Sequence, residues 1–139
     1  MTERERNQLV LAKHMAAEDA HDLEGTLATI HPDALFEDQP IGLVLRGREE
    51  TARHYNLWWR AFELQTDAGM LHWVSDELLI GESHFIGNHV GEFLGIAPTG
   101  NSIRFHFSVF VKFRDGLLLS EKFYYDLNDI MAQIGQPAF

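Results

Sequence analysis

The side chains that could do chemistry in this sequence are histidines and carboxylates. The chain carries eight histidines and 21 aspartates and glutamates but no cysteine, which excludes disulfides and thiolate chemistry. No G-x-S-x-G segment marks a nucleophilic serine. No histidine pair has the i, i+4 helical spacing with a carboxylate that a zinc-binding helix uses, and His14 and His21 lie seven residues apart, so we expect neither a metal nor another cofactor.

The composition of the chain excludes some classes of binding partner. A net charge of -10 without a basic stripe argues against nucleic acid. No apolar run approaches the roughly 18 residues of a membrane span, and the N-terminus lacks a signal-peptide pattern, so we expect a cytoplasmic protein with no membrane contact. The length of 139 residues predicts one domain over residues 1–139. A small, largely neutral ligand or another protein is therefore the expected partner. The aromatic residues Tyr55, Trp58, Trp59 and Phe62 favour a small apolar or aromatic molecule.

The elements that must position these groups are helices first and then strands, an order typical of the α+β class. Thr2 and Glu5 form a predicted capping box, and His31-Pro32 ends the second helix because a residue before proline leaves the α region. The predicted helices are residues 3–20, 23–30, 48–62 and 128–134; the predicted strands are 34–37, 43–45, 70–80, 89–95, 103–113 and 117–126.

One strand, residues 103–113, shows clear period-two alternation. Its odd positions are all apolar and its even positions are mostly polar, so the odd side faces the core. If the preceding hairpin closes symmetrically around residues 96–100, His89 lies beside Phe107 on this inner face, among aromatic side chains.

The register of the last strand is open. A two-residue Asp115-Gly116 turn pairs Arg114 with Leu117 and places Asp126 inside, opposite Phe105. A three-residue turn places Asp126 outside, and a β-bulge partway along could reconcile the two, because one register step moves every side chain to the other face.

Several segments together resemble a known family, the SnoaL-like polyketide cyclases of the NTF2-like, ketosteroid-isomerase-like superfamily. The matching segments are His31-Pro32-Asp33-Ala34, Gly47 before the third helix, Gly87 to Phe93, Gly95 to Gly100, Asp115-Gly116, Tyr125-Asp126 and Gln133-Ile134-Gly135. The resemblance implies a cone of strongly curved antiparallel or mixed sheet wrapped around N-terminal helices, with an internal apolar pocket. It also implies homodimerisation through the outer sheet face and, by motif position, Asp126 as the acid/base of a cofactor-free aldol condensation.

The predicted catalytic residues are therefore Asp126 and His89. Burial in an apolar pocket would make the Asp126 carboxylate a better base, whereas the alternative is an exposed aspartate that pairs with Arg104 or caps the last helix. His89 either polarises a carbonyl oxygen or is a core histidine bonded to backbone or to a tyrosine. The predicted substrate-binding residues are Tyr55, Asn56, Trp59, Phe107 and Tyr124.

Three functions remain open at this point. The first is a cofactor-independent cyclase or isomerase that removes a proton α to a carbonyl. The second is a non-catalytic binder of a small apolar ligand. The third is a hydratase, dehydratase or hydrolase on the same fold. It needs a second pocket carboxylate or a His–Asp pair, and Asp38 is the nearest acidic candidate.

Overall fold

The computed structural model describes residues 1–135. Within them it contains four helices and six strands. The helices are α1 (Glu3–Asp19), α2 (Leu23–Ala28), α3 (Gly47–Ala61) and α4 (Leu127–Gln133). The strands are β1 (Ile30–Asp38), β2 (Leu43–Arg46), β3 (Gln65–Trp73), β4 (Leu78–Asn88), β5 (Ser102–Arg114) and β6 (Leu117–Tyr125).

Local capping signals set the helix ends. The Thr2–Glu5 capping box at the start of α1 is present in both directions, as predicted. Asp22 caps α2 by accepting from the backbone N–H of Gly25, and Asp126 caps α4 by accepting from that of Asp129. Each cap satisfies a backbone donor that has no partner inside its helix.

One mixed sheet collects all six strands in the order β2-β1-β6-β5-β4-β3. Every neighbouring pair is antiparallel except β1 and β6, which run parallel. The α+β class with a curved mixed sheet is thus confirmed. A dense aromatic core lies between α3, α4 and the sheet, and its fully buried rings include Phe62, Phe93 and Phe105.

The predicted strands 70–80 and 89–95 are wrong in extent. The chain turns at residues 74–77, where the Ser75 hydroxyl accepts from the N–H groups of Glu77 and Leu78, so 70–80 is divided between β3 and β4. The strand that pairs with β5 is β4, and the predicted turn at residues 81–83 lies inside it. Residues 89–101 form a connection with only isolated bridges to Phe62 and between Phe93 and Ile96.

This shift also corrects the predicted position of His89. Ser83, not His89, lies opposite Phe107 in the β4–β5 ladder. The polar Ser75-Asp76 pair is the turn signal that ends β3. The strand that pairs with β5 therefore comprises residues 78–88 and not residues 89–95.

The β5 pattern is confirmed, and the last hairpin combines both open alternatives. Asp115 and Gly116 have positive φ angles of 55° and 71°, the requirement of a type I′ turn, and Arg114 pairs with Leu117. The register then shifts between Lys112 and Phe113, so that Tyr125 lies opposite Phe107. The bulge keeps apolar side chains inward at both ends of β6.

Among the helices of residues 1–135, none is long and apolar enough to cross a membrane.

Candidate active site

A cavity of about 400 Å³ lies between α1, α3 and the inner face of the sheet. Its walls are mostly aromatic and aliphatic, and exposed Met70 and Leu71 lie at its rim. The aromatic lining comprises Phe36, Tyr55, Trp58, Trp59, Phe85, Phe107 and Phe123. Polar side chains interrupt this lining, and four of them, His14, Glu18, His54 and Glu121, are called the polar cluster below. The cavity therefore has the composition of a small-molecule site, with few polar groups in an apolar pocket.

Contacts at both ring nitrogens stabilise the protonated form of His14. The Thr29 hydroxyl donates to the Thr26 carbonyl at 2.6 Å, so Nδ1 of His14, 2.8 Å from that hydroxyl oxygen, must be the donor. Nε2 faces the carboxylates of Glu18 and Glu121. Burial alone lowers the pKa of His14, but the two carboxylates outweigh it and raise the pKa to about 9. The imidazole is thus charged at neutral pH.

Glu121 is the carboxylate best poised to move a proton near neutral pH. It is 8% exposed on the inner face of β6. Burial raises the pKa of Glu121 to about 7, against the opposing charge of His14. The Tyr55 hydroxyl donates to Oε1 of Glu121 at 3.1 Å, and burial keeps the pKa of Tyr55 well above its usual range. Tyr55 therefore stays neutral and orients Glu121.

His54 lines the same cavity in the opposite protonation state. Its ring stacks on Phe36 with centroids 3.9 Å apart, and burial together with the charge of His14 lowers the pKa of His54 to about 3. The site thus combines a charged histidine, a neutral histidine and a carboxyl group that titrates near pH 7.

The expectation of no metal rested on spacing, and that spacing argument was incomplete. His14 and Glu18 lie four residues apart on α1, and with Glu121 they bring three ligand atoms within 4.8 Å of one another. These atoms could hold a divalent cation only if His14 gave up its Nε2 proton. The raised pKa of His14 favours the proton in that position.

The structure brings some of the predicted site residues together and separates others. Tyr55, Trp59 and Phe107 line the cavity. Asn56 is half-buried on α3 and is not part of the lining, and Tyr124 is 41% exposed on the outer face of the sheet.

The two predicted catalytic residues lie outside the cavity lining. Asp126 is exposed and caps α4. His89 is fully buried, and its Nδ1 accepts from the backbone N–H of Thr99 at 3.2 Å. Its position fixes the 89–101 connection against the end of α3, where it bridges to Phe62.

Asp38 is buried but serves the core rather than the cavity. Its carboxylate accepts from the Tyr125 hydroxyl at 2.8 Å and from the Trp58 indole N–H at 3.2 Å. Burial raises the pKa of Asp38, although both hydrogen bonds oppose the change. Because both donors come from the aromatic core, this carboxylate links α3 to β1 and β6.

Sequence reasoning missed Glu121, His14 and His54. A signal for Glu121 was present: the odd positions of β6 from Leu117 to Tyr125 are apolar except for this glutamate. The signal for His14 was helical spacing, because buried Asn7, Leu11 and His14 recur on one face of α1. The same kind of signal existed for His54, because buried Thr51, His54, Tyr55, Trp58 and Ala61 recur on one face of α3.

Comparison with known proteins agrees with this architecture. The sequence profile of the family described as SnoaL-like polyketide cyclase matches residues 8–134. No match is found among curated proteins.

Solved structures share the fold at low identity. A candidate polyketide cyclase from Xanthomonas campestris pv. campestris is 18% identical, with a TM-score of 0.88 over 96% of this chain and 100% of its own. AclR, a candidate hydroxylase from Streptomyces galilaeus, is 18% identical, with a TM-score of 0.80 over 96% of this chain and 87% of its own. A Catenulispora acidiphila protein with a ketosteroid isomerase-like fold, in complex with trimethylamine, is 17% identical, with a TM-score of 0.79 over 93% and 94%.

Proposed function

The chain belongs to the SnoaL-like polyketide cyclase family, and from this premise we propose that it is a cofactor-independent enzyme that removes a proton α to a carbonyl in a neutral, apolar substrate. Glu121 is the acid/base. Family membership supports a small-molecule enzyme, and the buried carboxyl group of Glu121 in an aromatic cavity is the observation that carries the proposed reaction.

The pKa of Glu121 suits this role. A general base works best when its pKa lies near the working pH, because enough of it is ionised while its basicity stays high. Burial raises the pKa of Glu121 to about 7, and Tyr55 fixes one of its oxygens. Asp126 occupies the motif position of the family aspartate, but it is exposed, caps α4 and is not among the residues that line the cavity.

The charge of the lining supports a neutral substrate. Carboxylates of Glu18, Asp67, Glu82 and Glu121 line the cavity, and its described lining contains no lysine or arginine. The single charged histidine, His14, is already paired with two of these carboxylates. An anionic ligand would meet net repulsion, whereas a flat neutral ketone can stack on the aromatic walls.

Cyclisation and isomerisation both begin with the same step. A proton passes from the α-carbon to the Glu121 carboxylate, and the C–H electron pair forms a C=C bond as the carbonyl becomes an enolate. In a cyclase the enolate carbon then attacks a second carbonyl of the same molecule; in an isomerase the proton returns at another carbon. The cavity supports this common step without choosing between the two outcomes.

Deuterium exchange tests the proposal directly. The C2 protons of 1-tetralone and related bicyclic ketones are followed by NMR in D2O with wild-type protein, Glu121→Gln and Asp126→Asn. We expect Glu121→Gln to slow exchange by about 10²–10⁴-fold, whereas Asp126→Asn keeps the wild-type rate because asparagine also caps a helix. The wild-type rate should rise about tenfold per pH unit below pH 7 and level off above it.

Two outcomes would overturn the proposal. Loss of exchange in Asp126→Asn with exchange retained in Glu121→Gln would return the acid/base role to the motif aspartate. Ketone binding by the wild-type protein without any exchange above the buffer rate would make the cavity a non-catalytic binding site.

We also propose that a second copy of the chain covers the outer face of the sheet. Phe110 and Tyr124 are 38% and 41% exposed there, and their rings meet edge to face with centroids 5.7 Å apart. Exposed aromatic pairs of this kind are typical of interface centres.

A further inference from the structure

His54 is a polar side chain without a partner in an otherwise satisfied cluster. It is 9% exposed, lines the cavity, and its Nδ1 is buried with no hydrogen-bond partner among residues 1–135. Because Nδ1 is inaccessible even to a water-sized molecule, a ligand in the cavity can reach the ring only at Nε2.

The ring cannot turn away to find water. Phe36 stacks on one face at 3.9 Å. The rings of Tyr55 and Phe123 pack against it edge to face, with centroids 4.9 Å and 5.9 Å away. Three aromatic contacts from three elements therefore fix the orientation of His54 relative to the cavity.

Every other hydrogen-bond donor in the polar cluster is already engaged. The Tyr55 hydroxyl donates to Glu121. His14 uses Nδ1 for Thr29 and Nε2 for the carboxylates beside it. A ligand oxygen that enters beside Glu121 thus finds its free donor at His54.

The tautomer of His54 follows from the same geometry. A buried N–H without an acceptor costs more than an unused lone pair, so the proton avoids the unpartnered Nδ1. The low pKa keeps the ring neutral, which leaves the single proton on Nε2. A neutral imidazole beside a carboxylate base is a pairing that enolising enzymes use, because it holds an enolate oxygen without surrendering its own proton.

We propose that Nε2–H of His54 donates a hydrogen bond to the carbonyl oxygen of a ketone substrate and holds the enolate oxygen while Glu121 takes the α-proton. This inference rests on the proposed function and adds the substrate class: a neutral compound whose carbonyl oxygen reaches His54 while its α-carbon faces Glu121. Atoms and electrons balance in this step: the proton moves to Glu121, the C–H electron pair forms the C=C bond, and the carbonyl π pair moves onto the oxygen.

Binding of a matched ligand pair tests the role of His54 apart from catalysis. 1-Tetralone carries a carbonyl acceptor, and tetralin has the same carbon skeleton without the oxygen. Both are titrated at pH 8, where Glu121 is mostly ionised and cannot donate, and quenching of the cavity tryptophans Trp58 and Trp59 reports the dissociation constants. The variants are His54→Leu and His54→Gln.

We expect wild-type protein to bind 1-tetralone about tenfold tighter than tetralin, the effect of one good hydrogen bond. His54→Leu should lose this preference while its affinity for tetralin stays unchanged, which also shows that the cavity is intact. His54→Gln retains an N–H donor and should recover part of the preference. In the exchange assay His54→Leu should slow the reaction by about 10²–10³-fold, the usual effect of removing one enolate donor.

Other results would overturn the inference. A preference for 1-tetralone that survives in His54→Leu, or that is missing from the wild-type protein, removes His54 from ligand recognition. A different result would refute the proposed function alone. If 1-tetralone is preferred in a His54-dependent way but its exchange is not catalysed, the ketone-binding site is supported and the proposed reaction is refuted.

Discussion

Replacement of Glu121 by glutamine should stabilise the folded protein at alkaline pH while it removes the proposed activity. The carboxyl group of Glu121 is 8% exposed, and burial raises its pKa from 4.5 to about 7. Glutamine has nearly the same shape and still offers a carbonyl oxygen to the Tyr55 hydroxyl. It carries no charge to desolvate, so the penalty of ionisation disappears.

The size of the effect follows from the pKa. Each pKa unit corresponds to about 1.36 kcal/mol, so ionised Glu121 costs the folded state about 3 kcal/mol. Because the pKa in the folded state lies above that of the unfolded chain, the stabilising contribution is fully present below pH 4.5 and is lost as the pH rises through 7. The variant also loses the attraction between Glu121 and His14, which reduces the expected increase in stability. We therefore expect Glu121→Gln to be about 2 kcal/mol more stable than wild type at pH 8 and about equal to it at pH 4.5.

Urea unfolding followed by tryptophan fluorescence measures this difference at both pH values. Glu92→Gln is the matched control, because Glu92 is exposed and its replacement removes the same charge from a chain of net charge -10. The argument for a raised pKa of Glu121 fails if the free energy of unfolding of Glu121→Gln increases no more than that of Glu92→Gln at pH 8. It also fails if the increase is the same at pH 4.5. An increase in the free energy of unfolding at pH 8 but not at pH 4.5 supports a site in which a functional residue lowers stability.

Two further predictions concern the frame and the assembly. Gly91→Ala should destabilise the protein by about 2–4 kcal/mol, because a Cβ there would lie 2.1 Å from the backbone oxygen of Arg60. The control Gly42→Asn, at an open position with a φ of +68°, should leave the midpoint of urea unfolding nearly unchanged. Equal midpoints for the two variants would contradict the steric argument. Phe110→Glu should convert a dimer into a monomer on sizing chromatography while Leu9→Glu, on an exposed part of α1, does not, and a wild-type protein that elutes only as a monomer would refute the proposed interface.

The elements that sequence reasoning located well are those whose signals are local. The capping box at Thr2, the alternation of β5 and the Asp115-Gly116 turn each depend on a few neighbouring residues. Helix α3 was placed within one residue at either end, since Gly47 precedes its first turn and its apolar second half continues to Ala61.

The misplaced strand at residues 89–95 depends on contacts with a distant element. Residues 89–95 have the composition of a strand, but Gly91 lies against the backbone of Arg60, and the N–H groups of Val90 and Gly91 donate to the Ala61 carbonyl. The end of α3 thus takes the hydrogen bonds that a sheet neighbour would have supplied. Pattern alone does not reveal such a competitor, because it comes from a helix about thirty residues away in the chain.

The motif residue Asp126 and the proposed acid/base Glu121 differ in what their positions demand. Asp126 follows β6 directly and its side chain satisfies the first turn of α4, which is a structural demand that any chain with this strand-to-helix junction must meet. Glu121 meets no such demand: it interrupts an apolar face, its burial is unfavourable when it is charged, and the neighbouring His14 and Tyr55 are arranged around it. A residue whose presence costs stability and whose neighbours compensate it is better explained by function than one that caps a helix. On this reasoning, a polar residue that breaks the inward alternation of a strand is a stronger indication of the active centre than a motif residue at the strand's end.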